Sequence, residues 1–149
     1  MAILSVEVTR RSHIRYLLDN MREKDLSEML EEDKYKSLLT SWKRSHVCKT
    51  FLIDGKVAAI TGVSGGFLAP VGNVWLLTTN EVYNIPSITY VREYKKEIRN
   101  FLEIHERLEG FVKKDYYESV KLLKMVGANI VEERNILGVD FYRFEINGV

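Results

Sequence analysis

The sequence predicts an α+β fold (an α/β sandwich), in which helices cover both faces of a mixed, mostly antiparallel sheet. Three observations support this prediction. Asp54-Gly55 separates two apolar runs, which is a strong hairpin signal. The run VWLLTT (74–79) is apolar nearly throughout and reads as a third consecutive, central strand. A long amphipathic stretch follows Pro86, and the whole element order is predicted as β-αα-βββ-α-β-α-ββ.

The N-terminal third of the chain is predicted to hold one strand and two helical stretches. Residues 3–9 (ILSVEVT) alternate and are rich in β-branched side chains, so they are predicted as the first strand. Ser12 is expected to cap the first helix. A second helical stretch covers residues 25–45, with a break near Asp33.

The C-terminal half is predicted to continue with the long helix, which begins at Pro86 and Ser87. LEGFVKK (108–114) is the next strand. A short helix then ends at Gly127, and a hairpin around Gly138 closes the chain. No linker or change in composition interrupts residues 1–149, and the prediction is therefore a single domain.

Composition and charge narrow the classes of function. The formal net charge is +1, and the 22 basic residues are interspersed with the 21 acidic ones, so there is no strong signal for nucleic-acid binding. No apolar run approaches the roughly 20 residues that cross a bilayer, and no signal peptide is expected at the N-terminus. The single cysteine, Cys48, is interpreted as a small buried side chain and fits an intracellular or virion-interior setting.

Three segments of the sequence resemble the GNAT acyltransferase fold. They are the hairpin DGKVAAITGV (54–63) leading into VWLLTT, the long helix that follows, and KDYYESVKLLKMVGANIVEE (114–133). The resemblance covers nearly the whole chain. It implies a GNAT-like mixed sheet, and binding of acyl-CoA with the pyrophosphate on backbone N–H groups at the start of the long helix.

Residues in the same regions also resemble a family of bacteriophage proteins. MREKDLSEM (21–29), VWLLTTNEVYNIP (74–86) and SVKLLKMVGANIVEE (119–133) are similar to the GNAT-fold phage acetyltransferase-like family, which is related to the small internal virion (core) proteins of T7-like phages. This resemblance implies a virion-associated role, with other phage virion proteins as partners. The location would be the virion interior or the host cytoplasm, with the oligomeric state left open.

The segment that would hold the cofactor departs from the GNAT pattern. The family pattern is Gln or Arg, two residues, Gly, one residue, then Gly or Ala, because glycines let the backbone approach a phosphate. The matching segment, Asn80 to Ser87, has no glycine and carries Tyr83, Ile85 and Pro86. The simpler interpretation is a hydrophobic loop packed on the sheet. If CoA binds, the resemblance leaves four cofactor-binding candidates: the backbone donors of Ile88, Thr89 and Tyr90, and the side chain of Arg92.

The catalytic groups that the resemblance implies are also altered. Leu123 falls where the family has a proton-donating tyrosine, and Tyr116 falls where it has an asparagine. Tyr116, or its neighbour Tyr117, is the candidate substitute, unless both are packing or surface aromatics. VWLLTT carries no carboxylate, so Glu81 and the hydroxyl of Thr79 are the candidates for the general base.

Two main hypotheses follow from the sequence. The first is a phage or prophage protein that keeps the fold, has lost most or all catalysis, needs no cofactor and docks virion proteins through aromatics such as Tyr83, Trp75 and Trp42. The alternative is an active acetyl-CoA-dependent N-acetyltransferase with a divergent cofactor loop. A third option is a module that binds CoA without turnover. The three histidines have no ligand spacing, so no metal site is predicted, and His105 is interpreted as a core or boundary histidine.

Overall fold

The computed structural model describes residues 3–28 and 33–148. Its sheet has the strand order β1-β2-β3-β4-β5-β7-β6, in which β4 and β5 are parallel and the other pairings given are antiparallel. The predicted α+β class is confirmed. In chain order the elements are β1 (Leu4–Val8), α1 (Arg11–Asn20), α2 (Glu23–Glu28), α3 (Lys34–Arg44), β2 (Ser45–Ile53), β3 (Lys56–Ser64), β4 (Val71–Thr78), a 3-10 helix (Asn80–Asn84), α4 (Ser87–Ile104), β5 (Arg107–Lys113), α5 (Tyr117–Met125), β6 (Asn129–Ile136) and β7 (Val139–Asn147).

The chain divides into two compact units. The first comprises the described residues up to 64 together with 75–87, and the second comprises residues 65–74 and 88–148. The prediction that 1–149 form a single domain stays a prediction. Residues 29–32, within the second predicted helical stretch, lie outside the described residues.

The first unit is built on the predicted hairpin between β2 and β3. Asp54 and Gly55 have φ values of 50° and 79°. Positive φ at both residues is what a tight two-residue hairpin turn requires. Asp33 caps α3 by accepting a hydrogen bond from the Lys36 N–H at 3.0 Å, so the predicted break is confirmed. The buried core side chains of this unit are Ile14, Leu17, Met21, Leu38, Cys48, Leu52, Val57 and Ile60.

The start of α1 differs from the prediction. The residue that caps it is Arg10 rather than Ser12, which lies in the first turn. The physical reason is His13, whose Nδ1 accepts a hydrogen bond of 3.1 Å from the Arg10 N–H. The His13 side chain therefore engages a backbone donor at the helix start, and a serine cap at position 12 is not needed.

The second unit contains the parallel pairing and the C-terminal hairpin. The β4–β5 ladder joins Val71 to Arg107 and ends with Asn73 opposite Glu109. Gly110, the next residue of β5, lies against the backbone: a Cβ there would be 2.7 Å from the Val74 carbonyl oxygen. Only glycine fits this close approach of the two strands without a shift of the backbone.

Helix α4 buries one side in the second unit through Tyr94, Ile98 and Phe101. His105 follows this helix, is buried, and places its Nδ1 2.8 Å from the Ala69 carbonyl oxygen. The interpretation of His105 as a core histidine is confirmed. The predicted end of the short helix is confirmed, because α5 is followed by Gly127 with a φ of 99°. The last hairpin turns at Gly138, as predicted.

Candidate functional site

The segment between β4 and α4 is a structured junction (residues 79–86). Thr79 caps its 3-10 helix by accepting a hydrogen bond of 3.1 Å from the Glu81 N–H. The same hydroxyl donates to the Val57 carbonyl oxygen at 2.7 Å. Thr79 is buried, so its side chain both shapes the turn and ties it to the neighbouring strand.

The apolar side chains of the junction do not all point the same way. Val82 and Ile85 are buried, whereas Tyr83 is 60% exposed. Pro86 is exposed as well. The expectation of a hydrophobic loop packed on the sheet therefore holds for Val82 and Ile85, and not for Tyr83 and Pro86.

The first turn of α4 offers an accessible, positively polarised helix end. Ser87 and Ile88 are exposed, and the turn contains no acidic side chain. An α-helix N-terminus presents backbone N–H groups without intrahelical partners and the positive end of the helix dipole. An anionic group such as a pyrophosphate fits these features, because the first turn itself carries no carboxylate and its first two residues are exposed.

The cofactor-binding candidates all lie along this helix start. Ile88 is 79% exposed, while Thr89 and Tyr90 are half-buried. The Tyr90 ring stacks on Tyr94 with centroids 6.5 Å apart. Arg92 is exposed and lies 3.6 Å from a Glu93 carboxylate oxygen, which reduces the positive charge it presents to a ligand.

Sequence reasoning missed a group of four side chains, here called the ionic cluster: Arg22, Asp25, Thr78 and Tyr83. The Asp25 carboxylate accepts hydrogen bonds from Thr78 Oγ1 at 2.6 Å and from Arg22 Nε at 3.0 Å. Arg22 Nη1 donates to the Tyr83 hydroxyl at 2.9 Å. The signal available in the sequence was the Arg-x-x-Asp spacing within MREKDLSEM, which looks like an ordinary surface pair on a helix.

The electrostatics of the ionic cluster are those of a desolvated ion pair. Burial raises the pKa of Asp25 above its ordinary value, although the hydrogen bond from Thr78 and the charge of Arg22 act in the opposite direction. Burial would lower the pKa of Arg22, but the charge of Asp25 and the hydrogen bond with Tyr83 outweigh it, so the net shift is upward. The guanidinium therefore stays charged inside the cluster.

The peptide backbone joins the same segments. The Arg22 N–H donates to the Thr78 carbonyl oxygen at 3.1 Å, and Met21 forms an antiparallel bridge with Thr79. The linker between α1 and α2 therefore runs beside the end of β4. This pairing fixes where Arg22 and Asp25 are presented.

Comparison with solved structures identifies the architecture. A GNAT family acetyltransferase from Bacillus anthracis aligns over 99% of this chain and 98% of its own, with a TM-score of 0.71 and 9% identity. One from Streptococcus pneumoniae aligns over 97% and 99%, with a TM-score of 0.65 and 16% identity. The chain has the GNAT acetyltransferase fold. The yncA protein of Salmonella typhimurium, solved with its cofactor acetyl-CoA, is also similar: 97% of this chain and 93% of that one align, with a TM-score of 0.65 and 7% identity.

Sequence comparisons add no closer relationship. No family model matches the chain, and no curated protein matches its sequence. Likeness at these low identities shows the GNAT fold and not the activity. Nothing in the comparisons links the chain to the internal virion proteins of T7-like phages.

The structure places the three catalytic candidates in different settings. Thr79 and Glu81 share the junction, and Glu81 Oε2 accepts a hydrogen bond of 2.9 Å from Asn84 Nδ2. Tyr116 belongs to the second unit, is only 1% exposed, and directly precedes α5. These three catalytic roles stay predictions, and the hydroxyl of Thr79 already holds the turn in place.

Other chemistry can be assessed on residues 3–28 and 33–148. No group of three or more His, Cys, Asp and Glu side chains in this part of the chain could hold a metal ion. No helix in it is long and apolar enough to cross a membrane. Cys48 is buried, as expected of a small core side chain, and burial raises the pKa of its thiol to about 11, although a hydrogen bond with Thr9 acts in the opposite direction.

Proposed function

We propose that this protein is an acetyl-CoA-dependent N-acetyltransferase with a divergent cofactor loop. The observation that carries the proposal is a GNAT fold along 97–99% of the chain in which the first turn of α4 is exposed and free of acidic side chains. Glycine is absent from the junction, but the bulky residues there are either turned inward, as Val82 and Ile85 are, or exposed to solvent. The helix end therefore keeps the property that a pyrophosphate requires.

The residues that would hold acetyl-CoA are the backbone donors at the start of α4. The N–H groups of Ile88 and Thr89 lie in the first turn and have no intrahelical partner, whereas the Tyr90 N–H, also a candidate, is the first that pairs with a carbonyl four residues earlier in the helix. The helix dipole adds a favourable interaction with the phosphates. Bound acetyl-CoA supplies an activated acyl group as a thioester. The protein's part is to position an acceptor amine against it and to move the protons that the transfer releases.

The test is calorimetric titration of the purified protein with acetyl-CoA, accompanied by its melting temperature. A ligand that binds the native state raises its stability by mass action, so binding must appear in both measurements. Release of free CoA thiol with a panel of primary amines then reports transfer. No heat and no change in melting temperature at about millimolar acetyl-CoA, roughly 1,000 times a micromolar dissociation constant, would overturn the proposal.

A second candidate is a catalytically degenerate phage virion protein that uses the GNAT fold for docking. It is favoured by Leu123, which stands where a proton donor is expected and is buried. Among its proposed aromatic contacts, Tyr83 is exposed, but Trp42 and Trp75 are partly buried against the core of the first unit. This candidate predicts no acetyl-CoA binding, and the protein would co-purify with intact phage particles.

A further inference from the structure

An exposed turn between β3 and β4 carries two large apolar side chains. The Ala69 N–H donates to the Gly66 carbonyl oxygen at 3.2 Å, which places Phe67 and Leu68 at the centre of a four-residue turn, here called the apolar turn (residues 66–69). Phe67 is 62% exposed and Leu68 is 99% exposed. Central turn positions usually carry Gly, Pro, Asn, Asp or Ser, so turn formation does not explain two adjacent large apolar residues there.

The base of the apolar turn is held in place. The buried His105 ring has its Nδ1 2.8 Å from the Ala69 carbonyl oxygen. The Pro70 carbonyl oxygen accepts hydrogen bonds from the N–H groups of Glu106 and Arg107, at 2.9 and 3.2 Å. A partner that binds the tip therefore meets a backbone that is already ordered, which lowers the entropic cost of association.

The second unit, which contains the apolar turn, also has an open depression on the exposed side of α5. Its volume is about 430 Å³, and the residues that line it recur along one face of the helix. This depression is here called the α5 groove, and its lining residues are Tyr117, Val120, Lys121, Lys124 and Met125. Apolar surface bordered by charged side chains is typical of an interaction site.

Strand register places the two features toward the same end of the second unit. The apolar turn comes just before β4, whose first residue, Val71, pairs with Arg107 at the start of β5. Helix α5 leaves the other end of β5 and runs back, because β6 follows it and begins at Asn129. Asn129 aligns through Glu145 of β7 with Glu109 near the start of β5. The C-terminal half of the α5 groove is therefore directed toward the end of the sheet where the apolar turn lies.

The charges beside the two features are opposite in sign. Glu103 and Glu106 are exposed at the C-terminal end of α4, next to the base of the apolar turn. The last turn of α4 carries no basic side chain, and a helix C-terminus is the negative end of the helix dipole. Arg107, the next residue, lies 3.7 Å from a Glu145 carboxylate oxygen, which offsets its charge. The α5 groove, in contrast, presents two exposed lysines.

We propose that the second unit mediates self-association into a two-fold symmetric dimer, in which the apolar turn of each copy inserts Phe67 and Leu68 into the α5 groove of the other. A two-fold axis makes each contact twice, so the acidic end of α4 in each copy meets the lysines of the opposite groove. The two insertions give an interface at the low end of specific ones, about 1,200 Å² or less in total, so the dimer is weak and depends on concentration. Acetyl-CoA binding is not required for this association.

The experiment is sedimentation velocity of wild type, Leu68→Ser and the control Leu137→Ser, at protein concentrations from about 1 μM to about 1 mM. Leu137 is the matched control, because it is also an exposed leucine in a turn of the second unit, between β6 and β7. Wild type should shift from monomer to dimer within this range. Leu68→Ser should raise the dissociation constant by at least about 10-fold, and Leu137→Ser should stay within about 2-fold of wild type, since a few central residues carry most of the binding energy.

Charge reversal tests the pairing of the two surfaces. Lys121→Glu combined with Lys124→Glu should weaken the dimer, and so should Glu103→Lys combined with Glu106→Lys, because each places like charges opposite one another. The protein that carries all four changes should associate more tightly than either double variant. A general loss of folding cannot produce this restoration.

Four results would overturn the proposal. Wild type that stays monomeric throughout the range would show that a second copy does not occupy the α5 groove. Equal effects of Leu68→Ser and Leu137→Ser, or no restoration in the fourfold variant, would place a dimer interface elsewhere. Assemblies that grow beyond two copies would show that the contact does not close on itself around a two-fold axis.

Discussion

Asp25 and Thr78 are 53 residues apart in sequence, and the Thr78 hydroxyl donates a hydrogen bond of 2.6 Å to the Asp25 carboxylate. The contact is buried and joins α2 to the last residue of β4. It stabilises a carboxylate that burial would otherwise disfavour, and it orients the Arg22 guanidinium beside it. We expect the stability of the first unit to depend in part on this contact.

Replacement of Thr78 by valine should destabilise the protein. The change keeps the β-branched shape but removes the donor, and a buried carboxylate that loses a hydrogen bond costs about 1–3 kcal/mol. Urea denaturation followed by circular dichroism measures the loss. Thr40→Val is the matched control, because the Thr40 hydroxyl donates an exposed hydrogen bond to the Lys36 carbonyl oxygen. This change should lower the free energy of unfolding by about 0.5 kcal/mol or less. Equal effects of the two changes would contradict the prediction.

The Asp25→Asn variant should alter the pH dependence of stability. The pKa of Asp25 in the folded chain is raised above its ordinary 3.8. Between pH 3.8 and the raised pKa, the folded chain therefore binds more protons than the unfolded chain does. The free energy of unfolding of wild type, relative to Asp25→Asn, should therefore rise as pH falls through the raised pKa and level off below about 3.8. Urea denaturation of both proteins at a series of pH values measures this difference. A relative stability that falls on acidification would have the wrong sign.

Gly110→Ala, which adds one methyl group, should lower the stability of the folded protein. A Cβ there would approach the Val74 carbonyl oxygen to 2.7 Å and the Phe144 ring to 2.8 Å, and the first of these is backbone that cannot rotate away. Overpacking of this kind costs about 1–3 kcal/mol. Gly127→Ala is the comparison, since nothing lies within 4 Å of its Cβ position and only the positive φ of 99° opposes it. Thermal denaturation should give Gly110→Ala a lower melting temperature than wild type, whatever the melting temperature of Gly127→Ala. A Gly110→Ala melting temperature equal to that of wild type would contradict the close contact.

Charge at the start of α4 should control acetyl-CoA binding. Ile88→Asp places a carboxylate beside the proposed pyrophosphate site, while Ile88→Asn introduces a side chain of the same shape without the charge. We expect the aspartate variant to bind at least about 10-fold more weakly, equivalent to about 1.4 kcal/mol, and the asparagine variant to stay within about 3-fold of wild type. Calorimetry at low salt measures both. Equal affinities would place the phosphates elsewhere.

Cys48 should resist modification in the native state. Burial raises the pKa of its thiol to about 11, so roughly one molecule in a thousand carries the reactive thiolate near pH 8. Reaction with a thiol-specific disulfide reagent should be at least about 100-fold slower than in denaturant, since access requires local or global opening. The chain has one cysteine, so the absorbance change reports this site alone. Immediate reaction of the native protein would show that the site is open.

Short-range patterns in the sequence are enough to predict most of the local structure. The hairpin at Asp54-Gly55, the break before α3, the helix after Pro86 and the turn at Gly138 follow from short-range rules of backbone conformation and hydrophobic period. The cap of α1 was missed because a histidine side chain, which cap preferences do not favour, accepts the Arg10 N–H.

Which side chains meet in the folded protein depends on long-range packing. Tyr83 and Ile85 look alike in sequence as bulky residues of a glycine-free loop, yet one is exposed and the other buried. Arg22 and Asp25 resemble a surface pair until α2 is placed against the end of β4, where Thr78 and Tyr83 complete the ionic cluster. Pairings over more than fifty residues depend on strand register and helix packing, and no local pattern in the chain encodes either of them.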